Sequence, residues 1–405
     1  YLDWQAEAEA RDHRKLGERL DLFSLHPEAP GMPFFHDRGT FIYRQLERFM
    51  MERMKELDYR FVKTPLIMNK SLWQTSGHWD YYRENMYVTR IDDKDTAVKP
   101  MNCPGHLLLY KDRAHSYKEL PLKVGEFGLV HRHELSGVLS GLLRVRCFTQ
   151  DDAHVYCTED QLQGQIQELI GLVRRVYSAF GFDYHLELST KPEKSMGDPK
   201  RWELAESALS KALEAEGLDF KINPGDGAFY GPKIDCHVKD ALGRSWQCGT
   251  IQVDFSMPEK FDLTYRGSKD QEERPVMLHR AIYGSFERFF AIITEHFAGK
   301  FPLWLSPVPV RVVTVTQRAN DYARKVHERL VEAGFRSELN DRTETMGKKV
   351  REAQLDHVNY VVTIGDKEVE NETLAVRPRD GDVRFGVPVG EFVKELEAER
   401  DERRL

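Results

Sequence analysis

Two arginine-bearing segments and one scattered trio of soft ligands carry the chemical signal in this sequence. The first segment runs Phe127-Gly128-Leu129-Val130-His131-Arg132-His133-Glu134, passes through a loop holding Ser136, Gly137 and Gly141, and resumes at Arg144-Val145-Arg146-Cys147-Phe148-Thr149-Gln150-Asp151-Asp152-Ala153-His154. It reads as two strands joined by a Gly/Ser loop, with Arg132 and Arg144 able to converge on one face. Guanidinium forks present several coplanar donors and suit phosphate oxygens. Glu134 can accept from an exocyclic amine, and Phe148 offers a stacking face. A solvated hairpin with surface salt bridges uses the same residue types, and for any single arginine in isolation it is the better reading.

The second segment is Pro275-Val276-Met277-Leu278-His279-Arg280-Ala281-Ile282-Tyr283-Gly284-Ser285-Phe286-Glu287-Arg288-Phe289-Phe290. Gly284 and Ser285 at the start of a helix expose backbone donors and permit close approach. Arg288, one turn in, faces the same side, while Phe286, Phe289 and Phe290 supply core. The trio is Cys103, His154 and His279. Its separations carry no zinc-finger spacing, so by spacing alone it is a turn cysteine and two structural histidines.

The elements that position these residues follow from periodicity. Residues 3–20 read as a charged helix, broken by His26-Pro27 and a Gly31-Met32-Pro33 turn. From Thr40, a plausible cap, Ile42, Leu46, Phe49, Met50, Met54 and Leu57 recur at helical spacing. Strands are expected at 125–134, 144–156, 182–189, 229–238 and 244–255, interrupted by helices at about 159–180 and 202–216 that stop at Gly181 and Gly217. Strand runs without regular βα alternation imply an antiparallel sheet with helices packed on it. Three prolines in Phe301–Pro309 read as a stiff linker. Beyond it, a strand at 310–315, helix 320–333, strand 336–340, helix 347–357 and strand 359–364 alternate as in a small α/β domain with a parallel or mixed sheet.

Composition bounds the answer. At 405 residues the chain exceeds one hydrophobic core, and no apolar run is long enough to span a bilayer. Net charge of −7 disfavours a surface coated for indiscriminate nucleic-acid binding, without excluding RNA held by local basic patches. Five scattered cysteines without a CxxC pair point to a reducing, cytoplasm-like compartment. The start at Tyr1-Leu2-Asp3-Trp4 reads as helix interior, as in a piece of a longer chain.

Arg132 and Glu134 through Phe148 resemble motif 2 of the class II aminoacyl-tRNA synthetases, Gly284 to Arg288 resembles motif 3, and Thr40 to Pro65 resembles motif 1. More narrowly, Met101-Asn102-Cys103-Pro104-Gly105-His106, Phe148 through His154, and His279-Arg280-Ala281 are similar to threonyl-tRNA synthetases. The resemblance implies an α+β fold: a class II antiparallel sheet flanked by helices over residues 1–305, then an α/β anticodon-binding domain over 306–405. It implies ATP, with Mg²⁺, bound by Arg132, Glu134, Arg144, Phe148, Gln247, Ser285 and Arg288. The adenine would lie between Phe148 and Arg288, and Arg132 on the α-phosphate. It implies one Zn²⁺ per chain on Cys103, His154 and His279, with threonine surrounded by Met101, Gln150, Asp152, Tyr230 and Gln252.

Catalytic parts would fall to Arg132, Arg288, Lys233 and a histidine near the terminal adenosine, His78. In the second domain Glu368 and Arg377 match base-reading positions, and Lys348, Lys349, Arg351 and Arg379 are further candidates for RNA contact. The implied partners are tRNA(Thr), ATP and L-threonine, with a homodimer formed through motif 1 and no membrane. His133, Leu135 and Cys147 depart from the commonest motif 2. The family's serine-editing module has no counterpart in these residues. A prolyl-tRNA synthetase would share motifs 2 and 3 but not the trio, and a catalytically dead paralogue need not keep the three arginines.

Overall fold

The computed structural model describes residues 2–405; Tyr1, the first residue of the stretch read as helix interior, lies outside them. The chain groups into two compact units. One holds Leu25–Pro33 and Glu47–Ile292; the other holds the stretch to Ser24, Phe34–Leu46 and Ile293–Leu405.

The larger unit is built on an eight-stranded sheet in the order Phe220–Asn223, Asp183–Ser189, Lys233–Lys239, Ser245–Asp254, Val276–Ala281, Cys147–Cys157, Leu122–His131, Arg60–Phe61. All neighbours run antiparallel except the two outermost pairs, which are parallel. The expected sheet is present, with Val276–Ala281 as an additional central strand. Its fully buried sequence, without polar alternation, hides it from a period-two reading.

Two flanking helices form because their ends are well specified. Glu159–Ala179 opens with a Thr158–Gln161 capping box, and Pro199–Ala215 opens on Asp198 with proline in its first turn. Leu169, Ile170, Val173, Val176 and Tyr177 of the first are buried, each contributing about 1.5–3 kcal/mol. A small sheet of Ile67–Asn69, Lys94–Val98 and Val88–Ile91 was not expected. Its tight hairpin turns on Asp92 and Asp93, both at positive φ, a two-residue turn made without the glycine that usually signals it.

In the smaller unit five strands lie in the order Ser337–Asn340, Val310–Thr314, Tyr360–Ile364, Thr373–Pro378, Arg384–Pro388. The first three are parallel and the last two antiparallel, so the sheet is mixed. Val310, Val312, Val326, Leu330, Val362, Leu374 and Phe392 form its core.

Three local readings are corrected. The segment 3–20 is two helices, Leu2–Ala10 and His13–Arg19, because the Asp12 side chain accepts from the Arg14 N–H and starts a new one. Thr40 is not a cap: the helix spans Asp37–Glu56, and the Thr40 N–H already donates to the His36 carbonyl at 2.7 Å. The proline-rich stretch, read as a stiff linker, is packed into the fold. Phe301, Leu303, Trp304, Leu305 and Val308 around its prolines are all buried, and Asn359 Nδ2 donates to the Phe301 carbonyl at 3.0 Å.

Candidate active site

Across four adjacent strands of the large sheet, Lys233 stands opposite Gln252, Gln252 opposite His279, and His279 opposite His154. Directly opposed residues share a face with Cβ atoms about 4.5–5.5 Å apart, so register alone makes a polar row. On the Cys147–Cys157 strand, alternation adds Phe148, Gln150 and Asp152 to the face of His154. This face floors a cavity of about 700 Å³. It is lined by Met101, Cys103, Arg132, Glu134, Arg144, Phe148, Gln150, Asp152, His154, Tyr230, Lys233, Gln247, Gln252, His279, Ser285 and Arg288, together with Tyr82, Asp235 and Arg280. Every site residue expected in this part of the chain lines it, except His78.

The arginines are held before any ligand arrives. Arg132 donates from Nε to the Pro100 carbonyl (3.1 Å), and its guanidinium lies 5.0 Å from the Phe148 ring centre. Arg288 donates to the Leu143 carbonyl (3.0 Å) and the Gln247 carbonyl (3.1 Å), and its own N–H is accepted by Ser285 Oγ (3.1 Å). Burial, only partly offset, lowers the Arg288 pKa. Gly284 sits at φ +78°, and a Cβ there would fall 2.3 Å from the Cys248 carbonyl oxygen, so glycine is required at this turn. Beneath it, buried Asp151 accepts from the N–H groups of Ile282 (2.8 Å) and Tyr283 (3.0 Å) and from Arg280. Burial pushes that carboxyl up to about 6. Arg144 pairs with Glu134 at 3.1 Å. Lys233 and Gln247 both donate to Asp235, each at 2.6 Å, and Tyr230 OH donates to Gln252 at 2.8 Å.

Cys103, at the start of the Cys103–Lys111 helix, brings its sulfur within 4.8 Å of a nitrogen from each of His154 and His279, all three buried. The surroundings fit a metal. His279 Nε2 lies 2.9 Å from Asp254 Oδ2, leaving Nδ1 turned to His154 Nε2 at 3.0 Å. His154 Nδ1 lies 2.7 Å from His106 Nδ1, and His106 Nε2 lies 3.2 Å from Glu126. Glu126 also accepts from the Thr64 N–H (2.8 Å), the Thr64 hydroxyl (2.9 Å) and Lys99 (3.3 Å). Burial would raise this carboxyl, but the hydrogen bonds from His106 and Thr64 and the Lys99 charge hold it down to about 2. Each histidine of the trio thus has its outward nitrogen engaged, one by a carboxylate and one through a second imidazole. Such outer partners fix the tautomer of a metal-binding histidine. Burial, helped by Asp152 and Asp254, pushes the Cys103 thiol well up, and burial pushes His154 well down. A cation among them is what would draw out the thiolate.

His78 is placed elsewhere. It is fully buried, with Nδ1 at 2.8 Å from Ser76 Oγ and Nε2 at 3.1 Å from Met101 Sδ. Burial, then His279 and Arg132, pushes it down to about 3. It backs Met101 and does not reach the cavity.

A family model described as "tRNA synthetase class II core domain (G, H, P, S and T)" matches residues 87–297, and one described as "Anticodon binding domain" matches 309–399. A solved structure of the RNA binding domain of threonyl-tRNA synthetase from Cryptosporidium parvum Iowa II superposes with a TM-score of 0.93. It is 40% identical and covers 96% of this chain and 98% of its own. The chain belongs to the threonyl-tRNA synthetase family. It is 56% identical over 404 residues to the threonine–tRNA ligase of Carboxydothermus hydrogenoformans and 55% identical over 404 residues to that of Clostridium tetani. Both matches cover the whole of this chain but only 64% and 63% of those relatives, so the chain spans somewhat less than two thirds of their length.

Four buried residues around this site, Asp254, Asp235, Lys99 and Glu126, had drawn no expectation. Asp235 had a readable signal, two residues along a strand from Lys233; Glu126 and Asp254 sit in apolar runs and had none. In the smaller unit, Arg377 is exposed on the Thr373–Pro378 strand, and Glu368 accepts from the Gly365 N–H (2.9 Å) as a helix cap. Two basic residues offered for RNA contact are corrected. Lys349 is buried and donates to the carbonyls of Thr314 (2.8 Å) and Asn340 (3.2 Å). Arg379 donates to the carbonyls of Phe301 (3.1 Å) and His357 (3.2 Å). Lys348, by contrast, is exposed and ion-paired to Glu344 at 2.6 Å, and Arg351 is exposed.

Proposed function

We propose that this chain activates L-threonine with ATP and transfers the threonyl group to the 3′-terminal adenosine of tRNA(Thr). The observation that carries the reading is the joining of two features in one cavity: prepositioned Arg132 and Arg288, and the Cys103–His154–His279 cluster. ATP arrives with Mg²⁺. Arg132 is directed at the α-phosphate, Arg144 at the γ-phosphate, and the adenine is held by Phe148 and Arg288 with its amine at Glu134. Zn²⁺ on Cys103, His154 and His279 would supply coordination to the amino group and hydroxyl of threonine. Around it Met101, Gln150, Asp152, Tyr230 and Gln252 shape the amino-acid pocket, and Lys233, Gln247 and Ser285 complete the polar lining.

The threonine carboxylate attacks the α-phosphorus in line and pyrophosphate leaves; the terminal ribose hydroxyl then attacks the adenylate carbonyl and AMP leaves. Negative charge grows on phosphoryl oxygens, so fixed guanidinium groups act where charge develops. No protein nucleophile is required. His78 is assigned a positioning part, through Met101, in place of the catalytic one.

Residues 1–305 are read as the catalytic domain and 306–405 as the anticodon-binding domain, supported by the matched segments 87–297 and 309–399. Arg377 and Glu368 are taken as RNA-contacting positions. Pairing into a homodimer through Gly31–Pro65 is supported by the exposure of Phe34, Met51 and Phe61. Among the described residues no helix is long and apolar enough to cross a membrane, and the five free cysteines suit a reducing, cytoplasmic setting. The test is amino-acid-dependent ATP–pyrophosphate exchange with threonine, serine, valine and proline. Exchange driven by proline, or by none of them, would overturn the reading.

A further inference from the structure

Away from the trio, a second set of ligand-type side chains meets on the large sheet. His185, on the Asp183–Ser189 strand, stands directly opposite His237 on the Lys233–Lys239 strand. Glu187, two residues along from His185, shares its face. All three are half-buried, and one donor atom from each lies within 4.8 Å of the others. The imidazoles stack with centroids 4.9 Å apart and 16° between their planes. Their Nε2 atoms address different oxygens of the one carboxylate, His185 at 3.5 Å from Oε1 and His237 at 3.6 Å from Oε2.

Those separations lie at and beyond the outer limit of a hydrogen bond. They do match the edge of a coordination polyhedron: two donors each about 2.0–2.2 Å from a zinc-class ion lie roughly 3.3–3.5 Å apart at the tetrahedral angle. The Asp12, His13 and Glu295 cluster shows the contrast: there His13 Nδ1 already sits 2.6 Å from Glu295, a complete hydrogen bond.

We propose that His185, Glu187 and His237 form a second transition-metal site, taking a divalent ion of the zinc, cobalt or nickel class with water in the remaining position or positions. Two imidazoles and one carboxylate are a ligand set such ions accept, and three protein ligands leave the site open. The ion would lie at the border of the cavity, since His237 pairs with Gln247 and is two residues from Asp235, both of which line it.

The experiment is a metal count on the whole chain after equilibrium dialysis against low micromolar Zn²⁺, with folding checked by thermal melting. The parent is expected to hold two ions, a His185→Ala/His237→Ala variant one, and a Cys103→Ala variant the other one. Glu187→Gln, which keeps the side-chain shape, is expected to weaken the second ion at least tenfold. A parent that binds a single ion lost with Cys103→Ala, or a second ion whose affinity is unchanged by His185→Ala/His237→Ala or by Glu187→Gln, overturns the proposal. A failure of the Cys103 assignment alone appears as a second ion that persists in Cys103→Ala while the first was never present.

Discussion

Tethered basic side chains occur in both units of this chain, but only in the larger one do some of them face a cavity. In the larger one, Arg132 and Arg288 are each tied to backbone carbonyls and stand in a walled cavity. In the smaller one, Lys349 and Arg379 are tied to carbonyls within the fold, and Arg377 is left exposed on a strand. A charge meant to meet a transition state must be fixed before the reaction, because reorganising it during the barrier crossing forfeits the benefit. A charge meant for a phosphate backbone in water gains little from being fixed, since the contact is screened and adaptable. Tethering therefore separates chemistry from structure only when it is combined with exposure to a cavity.

Substitutions can break or sharpen that contrast. The largest effect is expected from Arg132→Ala or Arg288→Ala: threonine-dependent pyrophosphate exchange should fall about 10²–10³-fold, or about 3–4 kcal/mol, with unchanged circular dichroism. Rates within tenfold of the parent would count against prepositioning as the source of catalysis. Next, Glu126→Gln or His106→Ala should weaken zinc retention about 10–100-fold in a chelator competition, since His106 is the outer partner of His154, proposed to hold the ion, and Glu126 is the carboxylate behind His106. Chelator kinetics matching the parent would show that the relay is only packing.

In the smaller unit, Lys349→Met should cost stability by about 1–3 kcal/mol, because it leaves the carbonyls of Thr314 and Asn340 buried without a donor. The midpoint of urea unfolding reads this, and an unshifted midpoint would mean water replaces the ammonium. The smallest effect belongs to Arg377→Ala. It should leave melting unchanged and reduce tRNA affinity by a few-fold, with a shallower salt dependence by about one charge. A salt slope identical to that of the parent would remove Arg377 from the RNA surface.

Much of the site was legible because alternation in a strand is a local property. Gln150, Asp152 and His154 share a face whatever the rest of the fold does, and so do Lys233 and Asp235. Gly284 and Ser285 were readable as a helix start that permits close approach, but the reasons glycine is needed there, a positive φ and the nearby Cys248 carbonyl, come from the structure. The start of the Asp37–Glu56 helix was misplaced because Thr40 has the chemistry of a cap but not the position. The proline-rich segment was misread because stiffness says nothing about whether Phe301, Trp304 and Leu305 find a core. Lys349 was misread for a related reason: a lysine among charged neighbours on a helix resembles a solvated face, and only the packing of that helix decides which way it points.

The sequence by itself determined the long helices and most strands of the two sheets, the faces of those strands, the arginine-bearing hairpin and helix, and the family they resemble. Those follow from propensity, period and motif, which act over a few residues. Only the tertiary structure decided that His154, His279, Gln252 and Lys233 form one row, because sheet register joins residues up to 125 positions apart. It alone placed Asp254, His106 and Glu126 behind the trio, withdrew His78 from the cavity and set His185 opposite His237. Burial and cross-strand pairing create these neighbourhoods. Neither exists until strands distant in the chain share hydrogen bonds.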